Sequence, residues 1–212
     1  MEFEFEYNKY FGTFEELKEA LDQIEAIADK GRKNCMVVRA ASYLLWSGIA
    51  KEQVTEVCYK HLGDTYIYDE SCNCNRDLPE SGMEFLREYA RNRADFGPIN
   101  LDDPIIRTVQ KRHLSGVTLY GVFTRINSKI PDGQKQFIPI PIYESGVFHR
   151  VWEKQQNGLE LPIYRRNRTL SEEGYALYEQ VFERSFVSKN AITFFVKRYR
   201  AFVEHFYNEK PT

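Results

Sequence analysis

The sequence predicts an α+β protein with a helical N-terminal half, antiparallel β-hairpins or a meander at about residues 115–166, and two C-terminal helices. In the N-terminal half, apolar residues recur every three or four positions behind helix-capping motifs, as they do in amphipathic helices. From about residue 115 the pattern changes to β-branched and aromatic runs separated by turn sequences, which favours hairpins. Helical spacing then returns near the C-terminus.

The first helices are placed by their capping residues. Thr13-Phe14-Glu15-Glu16 is a capping box, because the Thr hydroxyl and the Glu carboxylate can both accept hydrogen bonds from backbone amides at the helix start. The helix behind it is predicted to reach Ala28. Asn34 is the expected N-cap of a second helix that ends at Gly48. A third helix is predicted from Lys51 to about Leu62.

Residues 63–113 contain one segment without periodicity, followed by two predicted helices. Between Gly63 and Pro79 the apolar residues repeat at no regular spacing, so we expect an irregular stretch that is either functional or flexible. Ser81-Gly82-Met83-Glu84 is a second capping box, and its helix is predicted to reach about Arg93. Asp103-Pro104 supplies an N-cap and a proline at the first helical position, which predicts a helix through His113.

Turn sequences divide residues 115–166 into extended runs. They are Pro131-Asp132-Gly133, Glu144-Ser145-Gly146 and Gln155-Gln156-Asn157-Gly158. The alternating prolines of the run at 138–142 place their missing N–H groups on one side of a strand, which suits an edge strand. We therefore predict antiparallel hairpins here.

The C-terminal helices complete the predicted fold. Thr169-Leu170-Ser171-Glu172 is a third capping box, and the last helix is expected to start near Ser188. No Gly-, Ser- or Pro-rich linker separates the halves. The predicted division is a helical region at 1–114 and a hairpin sheet with C-terminal helices at 115–212, either as one compact domain or as two packed lobes.

Composition narrows the class of protein. A content of 42% hydrophobic residues, with 15% aromatic, is ample for a folded core. No apolar run approaches the roughly 18–20 residues of a membrane span, and the N-terminus lacks the features of a secretory signal, so we expect a cytoplasmic protein with no membrane partner. Residues 1–100 carry 12 Lys and Arg against 19 Asp and Glu, whereas residues 101–212 carry 17 against 12. A polyanionic partner should therefore contact the C-terminal half.

Four residues form a candidate zinc site. Cys58 and His61 lie three apart, as on one helix face, and the Cys72-x-Cys74 pair lies in the irregular segment that a metal ion could fix. Zinc is accordingly the candidate cofactor. The alternative is a buried, apolar Cys58 with Cys72 and Cys74 in a solvated loop.

A second candidate site is basic. Arg165, Arg166 and Arg168 lie on a predicted strand end just before a helix, where arginines can contact phosphates. These three arginines are therefore the predicted nucleic-acid contact. The alternative is a solvated charged turn.

The enzymatic alternative is a cysteine hydrolase. Cys35 lies where a helix is predicted to begin, and amides at a helix N-terminus stabilise a thiolate. His149, on a predicted strand, would be its base. The common phosphate-loop, dinucleotide, serine-hydrolase and zinc-protease motifs are absent from the sequence.

From these patterns we interpret the chain as a non-enzymatic binding or regulatory protein that engages a macromolecular partner, either a protein or, less strongly indicated, a nucleic acid. Its many tyrosine and phenylalanine side chains suit recognition surfaces as well as cores. The absence of other signals leaves a bacterial or phage regulatory or defence-related complex as the working hypothesis for its setting.

Overall fold

The computed structural model describes residues 5–27, 32–92, 100–107, 114–161, 171–186 and 188–208. Within them the fold is a mostly helical α+β arrangement of seven α-helices and one two-stranded antiparallel sheet. The elements in chain order are α1 (Phe14–Ile27), α2 (Arg32–Trp46), β1 (Tyr66–Asp69), β2 (Cys74–Asp77), α3 (Glu80–Asn92), α4 (Gly116–Asn127), α5 (Pro139–Gln156), α6 (Glu172–Val181) and α7 (Lys189–Tyr207). No helix among the described residues is both long and apolar enough to span a membrane.

The capping motif of α1 behaves as the sequence predicts. The Thr13 hydroxyl accepts a hydrogen bond from the Glu16 amide at 3.1 Å, and the Glu16 carboxylate accepts one from the Gly12 amide at 2.6 Å. The predicted start of α2 is wrong, since this helix begins at Arg32 and Asn34 lies inside its first turn.

The segment between α2 and α3 differs from its prediction. Residues 51–56 form turns, and the short 3-10 helix Tyr59–His61 follows in place of a third α-helix. The Tyr59 amide donates to the Asp103 carbonyl at 3.2 Å, and the Ile105 amide donates to the Val57 carbonyl at 2.9 Å. These long-range bonds compete with helix formation in both segments, so the described part of the helix predicted at 103–113 is also non-helical. The remaining residues of that prediction, 108–113, lie outside the described residues.

The structure places the sheet elsewhere than predicted. The strands β1 and β2 pair with Asp69 opposite Cys74, inside the segment expected to be irregular. The predicted hairpins at 115–166 are wrong for the described residues, because α4 and α5 occupy most of that range. Residues 162–166 of the prediction lie outside the described residues.

Helix α5 explains why the strand prediction failed. Every side chain from Glu144 to Phe148 is buried, as are Ile142 and Val151, so the middle of the helix has no solvent-exposed polar face. Pro139 and Pro141 lie in the first helical turn, where backbone N–H groups have no intrahelical acceptor and proline costs no hydrogen bond. Alternating prolines thus mark a helix start here rather than a strand edge.

Gly146 marks a helix crossing rather than a turn. A Cβ atom built on Gly146 would lie 2.0 Å from the Trp46 carbonyl oxygen, so α2 and α5 can approach this closely only at a glycine. Arg150 Nη1 donates to the same carbonyl oxygen at 2.7 Å and satisfies the C-terminal end of α2. The crossing brings the N-terminal helices onto the C-terminal ones.

Both C-terminal helices are confirmed. The Ser188 hydroxyl accepts from the Ala191 amide and caps α7 as expected, whereas the cap of α6 is Ser171 rather than Thr169. Two hydrophobic clusters result, and α5 contributes to both. The first core is formed by buried apolar side chains of α1 to α4 and of the segments between them, together with Phe11, Phe137 and Ile142. The second core consists of Tyr10, Val147, Phe148, Val151, Tyr178, Val181, Phe182, Phe186, Ile192, Phe195, Val196, Tyr199, Phe202 and Val203.

Candidate functional site

A polar cavity of about 810 Å³ lies beside the second core. Its walls come from the turn after α2, the β1–β2 hairpin, the first turn of α5, the end of α6 and the middle of α7. This volume is within the range of roughly 300–1,000 Å³ that is typical of ligand sites. The charged side chains in its lining are Lys51, Glu52, Asp69, Arg76, Glu144, Glu179, Glu183, Arg184 and Arg198.

Glu183 is the centre of an ionic network on one wall. Its carboxylate accepts from Arg76 Nη1 at 2.9 Å, from Lys154 Nζ at 3.0 Å and from Arg150 Nη2 at 3.4 Å. Burial alone would raise the pKa of Glu183, but these three cations hold it below its usual value. Arg76 Nε also donates to the buried Asp69 within the hairpin at 3.1 Å, so Arg76 connects the hairpin to Glu183 after the end of α6.

The backbone around this network is specialised. Glu183 follows the end of α6 in the left-handed region at φ 53°, a conformation that favours glycine at helix ends. Because this residue is a glutamate and not a glycine, we infer that the ionic network holds its carboxylate in place. Gly48 faces the same network at φ 101°, and a Cβ on it would lie 2.8 Å from Arg150 Nη2. Any larger residue at 48 would displace this arginine.

A second ion pair, Glu144 with Arg198, also lines the cavity. Arg198 donates to both oxygens of Glu144, from Nε at 2.9 Å and from Nη2 at 2.6 Å. The Tyr10 hydroxyl donates to the same carboxylate at 2.8 Å. Burial and the Glu144 charge raise the pKa of Tyr10, so this phenol stays a donor at all physiological pH values.

Two donors in the cavity remain available for a ligand. Arg184 stacks its guanidinium against the rings of Phe186 and Phe195, at 5.2 and 4.8 Å from their centroids, and has no carboxylate partner among the described residues. The Tyr143 hydroxyl takes part in no hydrogen bond within the described part of the chain. Burial raises the pKa of Tyr143, and the charges of Arg184, Arg76 and Arg150 oppose that rise. Tyr143 and Arg184 both line the cavity. Arg184 and Tyr143 can thus donate to one incoming anionic group.

Relatives add no information about this cavity. The sequence matches no protein-family model and no curated protein.

The four predicted zinc ligands form two pairs in the structure, Cys58 with His61 and Cys72 with Cys74. The His61 ring accepts from the Cys58 amide through Nδ1 at 3.0 Å and faces Glu70 through Nε2 at 3.0 Å. Cys72 and Cys74 are joined by a disulfide. Among the described residues, the ligand atoms of Asp69, Cys72 and Cys74 lie within 4.8 Å of one another, as they would around a metal ion. Zinc binding by the original set stays a prediction, which elemental analysis of the purified protein tests.

The predicted nucleic-acid contact cannot be placed in the fold. Arg165, Arg166 and Arg168 lie outside the described residues. Their role stays a prediction.

The proposed catalytic pair gains no support from its surroundings. Cys35 is 2% exposed, and burial raises the pKa of its thiol, which is opposite to the shift an activated nucleophile needs. His149 lies on α5 and not on a strand. Its Nδ1 is 2.7 Å from the Tyr207 hydroxyl, which in turn donates to the Gly12 carbonyl at 2.6 Å. Since that hydroxyl proton is already donated, Nδ1 carries the proton in this contact.

Sequence reasoning missed the cavity residues. Arg184, Glu183 and Tyr143 belong to no motif with a characteristic spacing, and the partners of Glu183 are about 30 to 110 positions away in the chain. One signal was present: Glu144 is a single carboxylate within an otherwise apolar run, and such a residue is usually paired when buried.

Proposed function

We propose that this chain is a non-enzymatic binding protein whose cavity receives a carboxylate-bearing segment of a partner protein within a regulatory complex. The observation that carries the proposal is the pair of available donors, Arg184 and Tyr143, in a cavity whose other cations are paired. An arginine held against two aromatic rings is already ordered, so binding an anion through it costs little side-chain entropy. Arginine and tyrosine are also among the residue types that contribute most often to binding energy at protein interfaces.

The charge of the lining favours a protein over a nucleic acid. Four cationic and five acidic side chains surround the cavity, so closely spaced phosphates would meet repulsion from most of the wall. A protein segment can place one carboxylate at Arg184 while its other residues avoid the acidic side chains. Ile140, 48% exposed at the cavity, adds an apolar contact for such a segment.

Affinity capture from the native host with quantitative mass spectrometry tests the proposal. Three baits are compared: the wild-type protein, Arg184→Ala and Arg125→Ala. Arg125 is the matched control because it is an exposed arginine on α4 outside the cavity lining. Thermal unfolding of each bait checks that it is folded.

We expect at least one protein whose recovery falls about tenfold with Arg184→Ala, equivalent to ~1.4 kcal/mol, and stays unchanged with Arg125→Ala. A synthetic peptide from that partner should bind the purified protein in calorimetry, and amidation of its acidic side chain should abolish the binding. Identical recovery with all three baits would contradict the proposal.

Nucleic-acid binding is the rival outcome and has its own variant. If the predicted basic segment contacts phosphates, alanine at Arg165, Arg166 and Arg168 together should weaken binding of a fluorescent oligonucleotide and reduce its salt dependence. Oligonucleotide binding that is lost in this triple variant and kept in Arg184→Ala would assign the interaction to the basic segment and reject the cavity as the recognition site.

A further inference from the structure

The turn of the β1–β2 hairpin carries a disulfide at the edge of the cavity. Cys72 and Cys74 are joined across Asn73, which adopts the left-handed conformation at φ 52°. Cys72 is exposed and lines the cavity, whereas Cys74 is partly buried opposite Asp69 in the strand register. A small thiol can therefore reach the bridge from solvent.

The bridge contributes little to the stability of the hairpin. A disulfide stabilises a protein mainly by restricting the unfolded chain, and this effect is smallest for the shortest loops. Cys72 and Cys74 are two positions apart. The turn is also held by Asp69, whose carboxylate accepts from the Ser71 amide at 3.1 Å and from the Ser71 hydroxyl at 2.7 Å. Neither of these contacts involves a cysteine sulfur.

The two sulfur atoms have unequal surroundings. Arg76 Nη2 lies 3.5 Å from the Cys72 sulfur, and no described cation contacts the Cys74 sulfur. A guanidinium group at this distance stabilises a thiolate on Cys72. Arg76 is itself held by Asp69 and Glu183, so it stays in position when the sulfur changes its charge.

We propose that Cys72 and Cys74 form a redox-active dithiol and disulfide pair that exchanges with low-molecular-weight thiols. The thiolate of one external thiol attacks the Cys74 sulfur and breaks the bridge, and the electron pair of the broken bond leaves on Cys72 beside Arg76. A second external thiolate then attacks the external sulfur of the mixed disulfide and releases Cys74. Two external thiols become one external disulfide, and the protein pair gains two electrons and two protons.

Equilibration of the folded protein with reduced and oxidised glutathione tests the exchange. Samples are quenched in acid, alkylated and analysed by mass spectrometry, with circular dichroism recorded in parallel. We expect the bridged fraction to rise and fall reversibly with the glutathione ratio while the circular dichroism of the fold is unchanged. A pair that never forms the bridge, or that opens only when the protein unfolds, would overturn the proposal. One zinc ion per purified chain, bound so that it protects both sulfurs from alkylation, would also overturn it.

The role of Arg76 is tested by brief iodoacetamide labelling of the reduced protein at pH 7. Cys72 should label about tenfold faster than Cys74 in the same molecules, because the guanidinium of Arg76 lies beside the Cys72 sulfur and favours its reactive thiolate form. Cys35 serves as the buried, protected control. In Arg76→Gln this difference should disappear, and in Arg76→Lys it should be partly retained. If Arg76→Gln does not fold, the ratio in the wild-type protein still decides, since equal rates at Cys72 and Cys74 would contradict the asymmetry.

Discussion

The two cores of this protein are built from different side chains. Among the described residues, eight of the 14 buried side chains of the second core are aromatic, against seven of 32 in the first. Phe148 lies within 5.0 to 5.5 Å of the rings of Phe195, Phe202 and Tyr199, so a few large rings fill the second core. The first core spreads its packing over many aliphatic side chains.

This difference explains where the ionic groups lie. Of the two buried ion pairs of the cavity, Glu144 with Arg198 lies beside the second core. Asp69 with Arg76 lies within the hairpin, and Arg76 also donates to Glu183 after the end of α6. Rings such as Phe195 cover the guanidinium groups of Arg184 and Arg198, and aromatic faces attract cations. The aromatic core thus serves as a wall for a charged cavity, which an aliphatic core would do less well.

Removal of a single aromatic ring from the second core should have the largest effect on stability. Phe148→Ala should lower the free energy of unfolding by about 3–5 kcal/mol, because it leaves a cavity at the centre of the ring cluster. Phe194→Ala, at a ring that is 57% exposed, is the control and should change it by less than about 0.5 kcal/mol. Urea denaturation measures both. Equal losses would show that the rings do not hold this core.

The two cores meet where α2 and α5 cross at Gly146. Gly146→Ala should cost about 3 kcal/mol, because the added methyl group collides with the Trp46 carbonyl and forces α2 and α5 apart. Gly121→Ala is the matched control, since a Cβ there meets no heavy atom within 4 Å and alanine favours the helix by about 0.5–1 kcal/mol. The two variants should therefore shift the urea midpoint in opposite directions. A neutral Gly146→Ala would contradict the close crossing.

Removal of the Glu183 charge beside the second core should have the smallest of these three effects on stability. Glu183→Gln should cost about 1–2 kcal/mol at pH 7 through the loss of charged hydrogen bonds. The pKa of Glu183 is lower in the folded than in the unfolded chain, so its contribution is complete above the unfolded value and is lost as pH falls through the folded value. The difference between the wild-type protein and Glu183→Gln should therefore shrink with acidification.

Stability curves from about pH 7 down to about pH 3 measure this effect. Glu84→Gln, at an exposed carboxylate on α3, is the control and should follow the wild-type curve. A difference at Glu183 that stays constant with pH would indicate that packing, and not charge, holds this residue.

Local sequence signals predicted the elements whose ends carry their own hydrogen-bonding partners. The caps at Thr13 and Ser188 are of this kind, because each hydroxyl accepts from an amide three residues away and depends on nothing else in the fold. The cysteine pair was also visible as chemically significant, although the structure joins Cys72 to Cys74 by a disulfide and pairs the His61 ring with the Cys58 amide.

Tertiary structure alone decided the rest. The middle of α5 is buried on all sides and has no exposed polar face, so its sequence lacks a clear helical period and resembles a strand. Gly146 has the same chemistry in a turn as in a helix crossing, and only the partner helix distinguishes the two. The cavity depends on residues from five separate segments, and the distances that pair Glu183 with Arg76 or leave Arg184 available exist only after those segments have packed. Sequence by itself determined the local hydrogen bonds of this protein, whereas its binding chemistry arises from contacts between residues that are far apart in the chain.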